Sequence, residues 1–350
     1  MRKNKQKTNI RLERVETDYA VDIEGLEILY QTDASTVHAV NSIDLKLKKK
    51  SVLGLVGETG AGKTTAMLSL LRLIPSPPGV VKNGRILVNG LDMMNLSPEE
   101  LCAVRGSEIS MIFQDPMTSL NPVMTVGEQI AESVLLHDNV SRDEALKRAK
   151  EMLKIVGIDP NRSVEYPHQF SGGMRQRVGI AIALACKPTV LIADEPTTAL
   201  DVTIQAQVLR LMKELQTTYG TSMILITHDL GVVAEMCDRV AVMYAGRIVE
   251  EGTAEDIFNA TMHPYTEGLF NSLPNIQARH QKLQPINGLM PDPSNLPAGC
   301  TFADRCPYAT DVCLTAQPQQ RMVSDTHMVA CAAYDDPEFR IKRRSTLCQK

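Results

Sequence analysis

The sequence lacks a strong excess of charge of either sign. Its 350 residues carry a formal net charge of -4, and acidic and basic residues are mixed along most of the chain. Proteins that bind nucleic acid usually contain a clearly basic domain, so the composition argues against a nucleic acid partner. Only residues 1–14 and 340–344 are basic, which is typical of solvated termini or of segments weakly attracted to an anionic membrane surface.

The sequence also lacks a long apolar run. The longest, Val178 to Cys186, is followed by Lys187 and Pro188 and falls well short of the roughly 18 residues that a membrane span requires. No apolar run follows the basic start, as a secretory signal would require. We therefore expect the chain to stay inside the cell, where disulfides are rare and clustered cysteines more often bind metal or do redox chemistry.

One short segment is typical of a phosphate-binding loop. GETGAGKTT fits the pattern G-x-x-x-x-G-K-[ST] and lies between a buried-type strand and an apolar helix, the context that the pattern requires. Its backbone N–H groups would point at phosphate oxygens, Lys63 would reach the β- and γ-phosphates, and the Thr64 hydroxyl would bind Mg²⁺. The predicted nucleotide contacts are Gly57, Glu58, Thr59, Gly60, Ala61, Gly62, Lys63, Thr64 and Thr65.

Two adjacent carboxylates follow a second buried-type strand, in the segment TVLIADEP. Ligands of parallel α/β sheets gather at the carboxyl ends of the strands. We therefore predict that Asp194 holds Mg²⁺ and that Glu195 orients or deprotonates the attacking water. The alternative is that the two acids only cap the following turn.

A third segment, YPHQFSGGMRQR, contains a serine and two glycines before a long apolar helix. Such a helix start suits an anion. One nucleotide does not need two such sites on one chain, so we expect Ser171, Gly172 and Gly173 to contact the ATP of a partner subunit. Two nucleotides would then lie between two chains.

In this order, the segments resemble those of ATP-binding cassette (ABC) ATPases. Gln114 in IFQDP precedes the FSGGM signature, and Asp201 in ALD and then His228 follow the carboxylates. The resemblance implies that Gln114 contacts Mg²⁺ and the attacking water, that Asp201 lies in the nucleotide site, and that His228 holds the γ-phosphate. It also implies that the aromatic ring of Tyr30 stacks on adenine.

Longer segments resemble the ATPases of oligopeptide and dipeptide permeases, and in particular the D-type subunit. They include QDPMTSLNPVMTVGEQI, HPYTEGL and CTFADRCP. The resemblance implies an α/β fold, namely a P-loop ABC-type nucleotide-binding domain with an inserted helical subdomain, and ATP-driven import of peptides. Nickel or metal chelates are the cargo of related importers, and a soluble ABC ATPase outside transport is a further alternative.

The same resemblance implies several partners and a location. The partners are an F-type ATPase subunit that completes a heterodimer, two integral membrane permease subunits and an extracytoplasmic substrate-binding protein. The chain would then lie peripherally at the cytoplasmic face of the plasma (inner) membrane.

The expected domain layout has three parts. Residues 1–23 form a basic extension, residues 24–262 form the nucleotide-binding domain with a helical subdomain at about 98–167, and residues 263–350 form a small C-terminal domain of the oligopeptide-transporter type. That last domain carries clustered cysteines and a basic tail.

Four of the eight cysteines stand near the C-terminus, at Cys300, Cys306, Cys313 and Cys331. The tight C-x2-4-C start of most structural zinc sites is missing, whereas iron-sulfur cubanes need only four converging thiolates. The resemblance to permease ATPases also implies a C-terminal [4Fe-4S] site. We predict such a cluster on these four residues, with zinc, disulfides or unligated thiols as alternatives. The others, expected to be free thiols, are Cys102, Cys186, Cys237 and Cys348.

Overall fold

A computed structural model describes residues 12–115, 119–198, 200–272, 285–336 and 338–341 of the chain. Most of the basic N-terminal stretch, Ala199 of the ALD segment and the tail that contains Cys348 lie outside these residues.

In chain order the strands are β1 (Tyr19–Gln31), β2 (Thr36–Lys48), β3 (Val52–Val56), β4 (Gly79–Val88), β5 (Leu91–Asp92), β6 (Ile109–Ile112), β7 (Val190–Asp194), β8 (Ser222–Ile226), β9 (Arg239–Tyr244), β10 (Arg247–Thr253), β11 (Arg321–Met322) and β12 (Met328–Val329). Strands β1 to β3 come before the first described helix, and strands and helices are mixed from there to β10.

The helices begin at residues that favour helix starts. Ser97, Thr125 and Thr253 each accept a hydrogen bond from the backbone N–H three residues on, and that residue's carboxylate bonds back. The helices are α1 (Lys63–Leu70), α2 (Pro98–Val104), α3 (Val126–His137), α4 (Arg142–Ile155), α5 (Gly172–Leu184), α6 (Val202–Tyr219), α7 (Leu230–Met236), α8 (Ala254–Asn259), α9 (Pro264–Asn271) and α10 (Asp311–Thr315).

Two sheets pack around the phosphate loop. One is antiparallel, in the order β2-β1-β4-β5, and the other has the order β11-β12-β10-β9-β3-β8-β7-β6. Strands β3, β7 and β8 pair in parallel and are buried along their whole length, as expected for strands covered on both faces. The expected α/β class is therefore confirmed. The carboxyl ends of β3, β7 and β8 bring the phosphate loop, Asp194 and His228 to one edge.

The expected start of the nucleotide-binding domain at residue 24 falls inside β1. This strand begins at Tyr19 because Ala20, Val21 and Ile23 are buried, and because β1 pairs with both β2 and β4 from its first residues onward. Residues 19–23 therefore belong to the sheet and not to an extension.

The predicted helical insertion at about 98–167 is interrupted by a strand. Strand β6 pairs with β7 in the main sheet, and Leu101 and Val104 of α2 are buried in the same hydrophobic cluster as the β6 residue Ile109. The helical layer therefore consists of α3 and α4, with the short 3-10 turns that follow and the start of α5. Its buried residues, including Ile130, lie in one cluster with those of α5.

The C-terminal segment, defined as the described residues 285–341, does not form a separate domain. Strand β12 pairs with β10, so the segment extends the main sheet. The ring of Phe302 packs edge-on against Tyr244 and Tyr265, with centroids 5.2 and 5.4 Å away, in the core of the nucleotide-binding domain. His327 also reaches the fully buried Glu250 of β10, at 2.8 Å between Nε2 and Oε1. A separate cysteine-rich domain is therefore not supported, because the segment uses the core of the larger unit.

In the parts of the chain that the structure describes, no helix combines the length and the apolar character needed to cross a membrane.

Candidate functional site

The phosphate loop follows β3 and depends on glycine at two close approaches. Gly57 and Gly62 have φ angles of 151° and 101°, which side-chain-bearing residues rarely adopt. A Cβ at Gly57 would lie 2.1 Å from the Met243 carbonyl oxygen, and one at Gly62 would lie 2.3 Å from that of Ala39. The backbone of the loop is therefore in close contact with the backbones of both β9 and β2. Of its other members, Thr59 and Gly60 are exposed and Ala61 is buried.

Lys63 is the first residue of α1, and its side chain lies inside the loop. Lys63 is only 7% exposed, and its Nζ donates hydrogen bonds to the carbonyl oxygens of Gly57 at 2.7 Å and Glu58 at 2.9 Å. Burial lowers the pKa of Lys63, and the charges of Glu195, Asp194 and Glu58 oppose that shift. The ammonium group is therefore surrounded by acceptors and carboxylates.

Asp194 ends β7 and lies next to α1. The Thr64 hydroxyl donates a hydrogen bond of 2.8 Å to Asp194 Oδ2. Burial raises the pKa of Asp194; the Thr64 hydrogen bond opposes this, and the charge of Glu195 adds to it. Hydroxyl and carboxylate oxygens are ligands that Mg²⁺ accepts, and a cation would relieve the repulsion between the two carboxylates. Thr64 and Asp194 therefore fit a magnesium site.

Glu195 has a carboxylate that three other side chains of the site contact. It has a φ of 45°, and its backbone N–H donates to the Ile226 carbonyl oxygen at 2.9 Å, so β8 holds it in this uncommon conformation. Gln114 Nε2 and Thr198 Oγ1 each donate to Glu195 Oε2 at 2.9 Å, and His228 Nδ1 lies 3.3 Å from Oε1. Gln114, predicted also as a magnesium contact, thus donates to the carboxylate that follows Asp194 in the chain.

The environment of Glu195 favours its charged form. Burial raises the pKa of this carboxyl group, but hydrogen bonds from Thr198, His228 and Gln114 outweigh burial and bring the pKa below its ordinary value. The Glu195 side chain is 15% exposed and that of His228 is 68% exposed. An oriented, ionised carboxylate at a partly open position can hold a water molecule and accept its proton.

Tyr30, at the end of β1, lies beside the phosphate loop helix. Its hydroxyl is 3.4 Å from Thr65 Oγ1, and the ring is half-buried. The aromatic residue predicted to contact adenine is therefore next to the last residue of the predicted loop.

The signature segment is not joined to the phosphate loop. Ser171 caps α5 by accepting from the Met174 N–H at 3.4 Å, and both Ser171 and Gly172 are exposed. A Cβ at Gly173 would lie 2.6 Å from Ile204 of α6, the residue whose N–H the Asp201 side chain caps. Among the described residues, no hydrogen bond links this helix start to the loop in the same chain.

The structure shows three contacts at the site that were not predicted from the sequence. Thr198 donates to Glu195, and its position in the run EPTTALD was the available signal. The Tyr265 hydroxyl accepts from the Glu58 N–H at 2.8 Å, and Arg305 pairs with the Glu58 carboxylate. No local pattern indicates these two contacts, because both partners are far away in the chain.

The four clustered cysteines line one small cavity, together with Phe302. The cavity measures about 20 Å³, which is room for about one water-sized sphere. Cys300, Cys306, Cys313 and Cys331 are all free thiols, so a disulfide among them is excluded in this structure. In the described ranges, no group of three or more His, Cys, Asp or Glu has the arrangement of a metal site.

Burial also affects the protonation of these thiols. It raises the pKa of Cys306 to about 11 and of Cys331 to about 12, and it raises that of Cys300. A metal bound here would have to displace protons. The predicted [4Fe-4S] or zinc site is therefore not confirmed, although its four residues lie together.

Two family models match the chain. The ABC transporter family matches residues 40–198, and the oligopeptide/dipeptide transporter C-terminal region matches residues 249–313. The first match covers the phosphate loop, the signature and both carboxylates, and the second includes Cys300, Cys306 and Cys313.

Curated relatives are similar over most of the chain. The oligopeptide transport ATP-binding protein AppD of Bacillus subtilis is 48% identical over 318 residues, which are 90% of this chain and 97% of the relative. The dipeptide transport ATP-binding protein DppD of the same organism is 50% identical over 317 residues, 90% of this chain and 95% of the relative. The oligopeptide transport ATP-binding protein OppD of Bacillus subtilis is 52% identical over 312 residues, which are 88% of this chain and 87% of the relative.

Solved ABC proteins have a similar fold. The ATP-binding cassette MJ0796, in a dimeric post-hydrolysis state bound to ADP and Pi, aligns with a TM-score of 0.61 at 27% identity, covering 67% of this chain and 98% of that one. CbiO1 from Clostridium perfringens, part of the ABC transporter complex CbiONQ, aligns with a TM-score of 0.60 at 31% identity, covering 70% and 93%.

Replacing Glu195 by glutamine is expected to abolish most ATP turnover and to leave ATP binding nearly unchanged. The amide keeps the shape of the side chain but cannot accept the proton, so turnover should fall by a factor of about 10²–10⁴. The measurement is the hydrolysis rate in the assembled complex, beside nucleotide affinity. Glu235→Gln, an exposed residue of α7, is the matched control. Near wild-type turnover in Glu195→Gln would remove Glu195 from the catalytic role.

Proposed function

This chain belongs to the ATP-binding subunits of oligopeptide and dipeptide ABC transporters, and from that premise we propose that it hydrolyses ATP to drive peptide import through a separate membrane permease. The observation that carries the proposal is the convergence of Gln114, Thr198 and His228 on Glu195, directly after Asp194 and its partner Thr64. Binding of a nucleotide alone would not require this arrangement around the second carboxylate.

Each side chain of the site has a proposed role. Lys63 and the loop N–H groups bind the phosphates, and Thr64 and Asp194 hold Mg²⁺, which supplies positive charge to the phosphate oxygens. Glu195 orients the attacking water and takes its proton, while Gln114 and His228 keep its carboxylate in place. As catalytic groups we propose Glu195, His228, which would also hold the γ-phosphate, and Gln114, which would also contact Mg²⁺ and the attacking water.

The remaining predicted contacts belong to the edges of the nucleotide site. Tyr30 stacks on the adenine ring, and its position beside Thr65 supports this role. The exposed start of α5, with Ser171 and Gly172, supports a contact with a nucleotide held by another chain. Asp201 is exposed and accepts a hydrogen bond from the Ile204 N–H, and the Ile204 side chain lies next to Gly173 at the start of α5. These contacts support a place for Asp201 at the same surface.

We propose that the other chain is a different cassette, the F-type subunit, so that two ATP molecules lie between unlike subunits. Import also requires membrane-spanning permease subunits, two in this proposal, and an extracytoplasmic binding protein that delivers the peptide. The chain would lie peripherally at the cytoplasmic face of the plasma membrane.

We further propose that Cys300, Cys306, Cys313 and Cys331 hold a [4Fe-4S] cluster, with zinc as the alternative. The proposal is supported by the position of all four residues around one cavity and by the absence of disulfides among them. Four converging thiolates are the usual ligands of such clusters. Binding would require the cavity to widen and the thiols to lose their protons.

A tagged form of this chain, purified from the membranes of its own cell, is expected to bring one different cassette chain and two permease proteins in comparable amounts. Reconstituted in vesicles with the binding protein, the complex should accumulate labelled peptides only with ATP, and the Glu195→Gln complex should not.

Three outcomes would contradict parts of this account. A chain free of membrane proteins would indicate an ABC ATPase outside transport, and accumulation of nickel or a metal chelate in place of peptides would replace the proposed cargo. A complex containing two copies of this chain and no second cassette would exclude the unlike pair.

Protein purified without oxygen is expected to be brown, with iron and sulfide each near about four per chain. Cys306→Ser should lose the colour, whereas Cys102→Ser, which changes an exposed cysteine that does not line the cavity, should keep it. Colourless protein with one zinc ion per chain would decide for zinc, and protein with neither metal would leave the four cysteines as thiols.

A further inference from the structure

Arg305 forms a partly buried ion pair with the phosphate loop. Its Nη1 and Nη2 donate to the two carboxylate oxygens of Glu58 at 2.9 and 3.1 Å, and its side chain is only 6% exposed. Further bonds run from the guanidinium to the Tyr244 hydroxyl at 3.2 Å and to the Asn287 carbonyl oxygen at 3.0 Å. A bidentate ion pair of this kind fixes the relative orientation of the two side chains as well as the distance between them.

Glu58 transmits this contact to the nucleotide site. Its N–H donates to the Tyr265 hydroxyl, and its carbonyl oxygen accepts from Lys63 Nζ at 2.9 Å. The carboxylate, the N–H and the carbonyl of one loop residue are therefore all engaged, two of them by residues C-terminal to β10. A displacement of Glu58 would move the acceptor that holds the Lys63 ammonium.

Other residues of the C-terminal segment contact the loop or the strand β2 next to it. The Met290 methyl group lies close enough to Gly60 that an added Cβ would be 3.1 Å from it. The Pro293 carbonyl oxygen accepts a hydrogen bond of 2.8 Å from the His38 N–H in β2. Arg305 and Met290 thus lie against the loop itself, and Pro293 binds the neighbouring strand β2.

The backbone position of Arg305 is set by the cysteine-bearing turn. Arg305 ends the 3-10 turn Ala303–Arg305 between Cys300 and Cys306. The Ala303 N–H bonds to the Cys300 carbonyl oxygen, and the Cys300 N–H bonds to the Cys313 carbonyl oxygen at 2.7 Å. Rearrangement around the cysteines would therefore move the guanidinium that holds Glu58.

We propose that Arg305 is a positioning residue for the phosphate loop, and that through Glu58 it links nucleotide affinity to the order of residues 299–313. The inference rests on the proposed ATP site but adds a second role for the C-terminal segment. Because coupling free energies are reciprocal, nucleotide binding must stabilise residues 299–313 by the same factor by which their order raises nucleotide affinity.

The test compares Arg305→Gln, Glu58→Gln and the double variant in the full chain with Mg-ATPγS as the probe. Each single variant is expected to weaken nucleotide binding at least about fivefold. The double variant should be about as weak as either single one, because both changes remove the same pair. In the assembled complex the KM for ATP should rise by a larger factor than kcat falls, and Arg305→Lys should recover part of the affinity.

Amide hydrogen exchange distinguishes the proposed coupling from a purely structural role of Arg305. A structural role alone would not make exchange in residues 299–313 respond to nucleotide. In the wild type, exchange in residues 299–313 should slow when the probe binds, and this response should disappear in Glu58→Gln. Arg321→Gln is the matched control, because Arg321 lies in the same segment but pairs with Asp335 and bonds to the Tyr334 carbonyl oxygen. Its nucleotide affinity and exchange response should equal those of the wild type.

Unchanged nucleotide affinity and an unchanged exchange response in Glu58→Gln would overturn the proposal. That variant keeps Arg305 and its contact with Tyr244, so it provides the test even if Arg305→Gln fails to fold. An equal loss of affinity in Arg321→Gln would also overturn the proposal, because the effect would then be a general one of the segment. Failure of the proposed ATP site itself would be recognised separately, because the wild-type chain would then not bind the probe.

Discussion

The buried ammonium group of Lys63 is the constraint on which the rest of the site depends. A charge with so little exposure is stable only if hydrogen-bond acceptors and opposite charges surround it. The carbonyl oxygens of Gly57 and Glu58 supply the acceptors, and Asp194, Glu195 and Glu58 supply the charge. These groups come from the loop after β3 and the end of β7. The parallel strands of the main sheet are therefore what make the buried charge tolerable.

The two adjacent carboxylates have different environments although they are neighbours in sequence. Asp194 is buried against the Thr64 hydroxyl, and burial raises its pKa, a shift that a bound cation would oppose. Glu195 has a left-handed backbone conformation. Its carboxylate contacts Thr198 of the same turn and two side chains that follow other strands, Gln114 after β6 and His228 after β8, and these hydrogen bonds lower its pKa. Environment, more than residue type, thus gives the two carboxylates opposite pKa shifts.

The sequence predicted the parts of the site whose signals are local. The loop Gly57–Thr65 and the pair Asp194–Glu195 each combine a buried-type strand with polar residues at its end, and the structure brings both to one edge of the sheet. The insertion was less predictable, because β6 contains only the short apolar run Ile109–Ile112 between helical patterns. The pair of Glu58 and Arg305 joins residues 247 positions apart, and no periodicity in either segment indicates it. The C-terminal segment packs on the core through Phe302, which contacts residues far away in the chain, so local sequence patterns do not indicate this packing either.

In the proposed mechanism, this chain holds most of one ATP site and its Ser171 completes a site on another chain. The most direct measurement is the ATP hydrolysis rate of the purified chain over a range of concentrations, alone and after addition of the second cassette of its transporter. Turnover by the chain alone should be slow, because Ser171 is exposed and, within the described part of the chain, no hydrogen bond links it to the phosphate loop. Addition of the second cassette should increase turnover strongly. Fast turnover by the monomeric chain, unaffected by the second cassette, would contradict this mechanism.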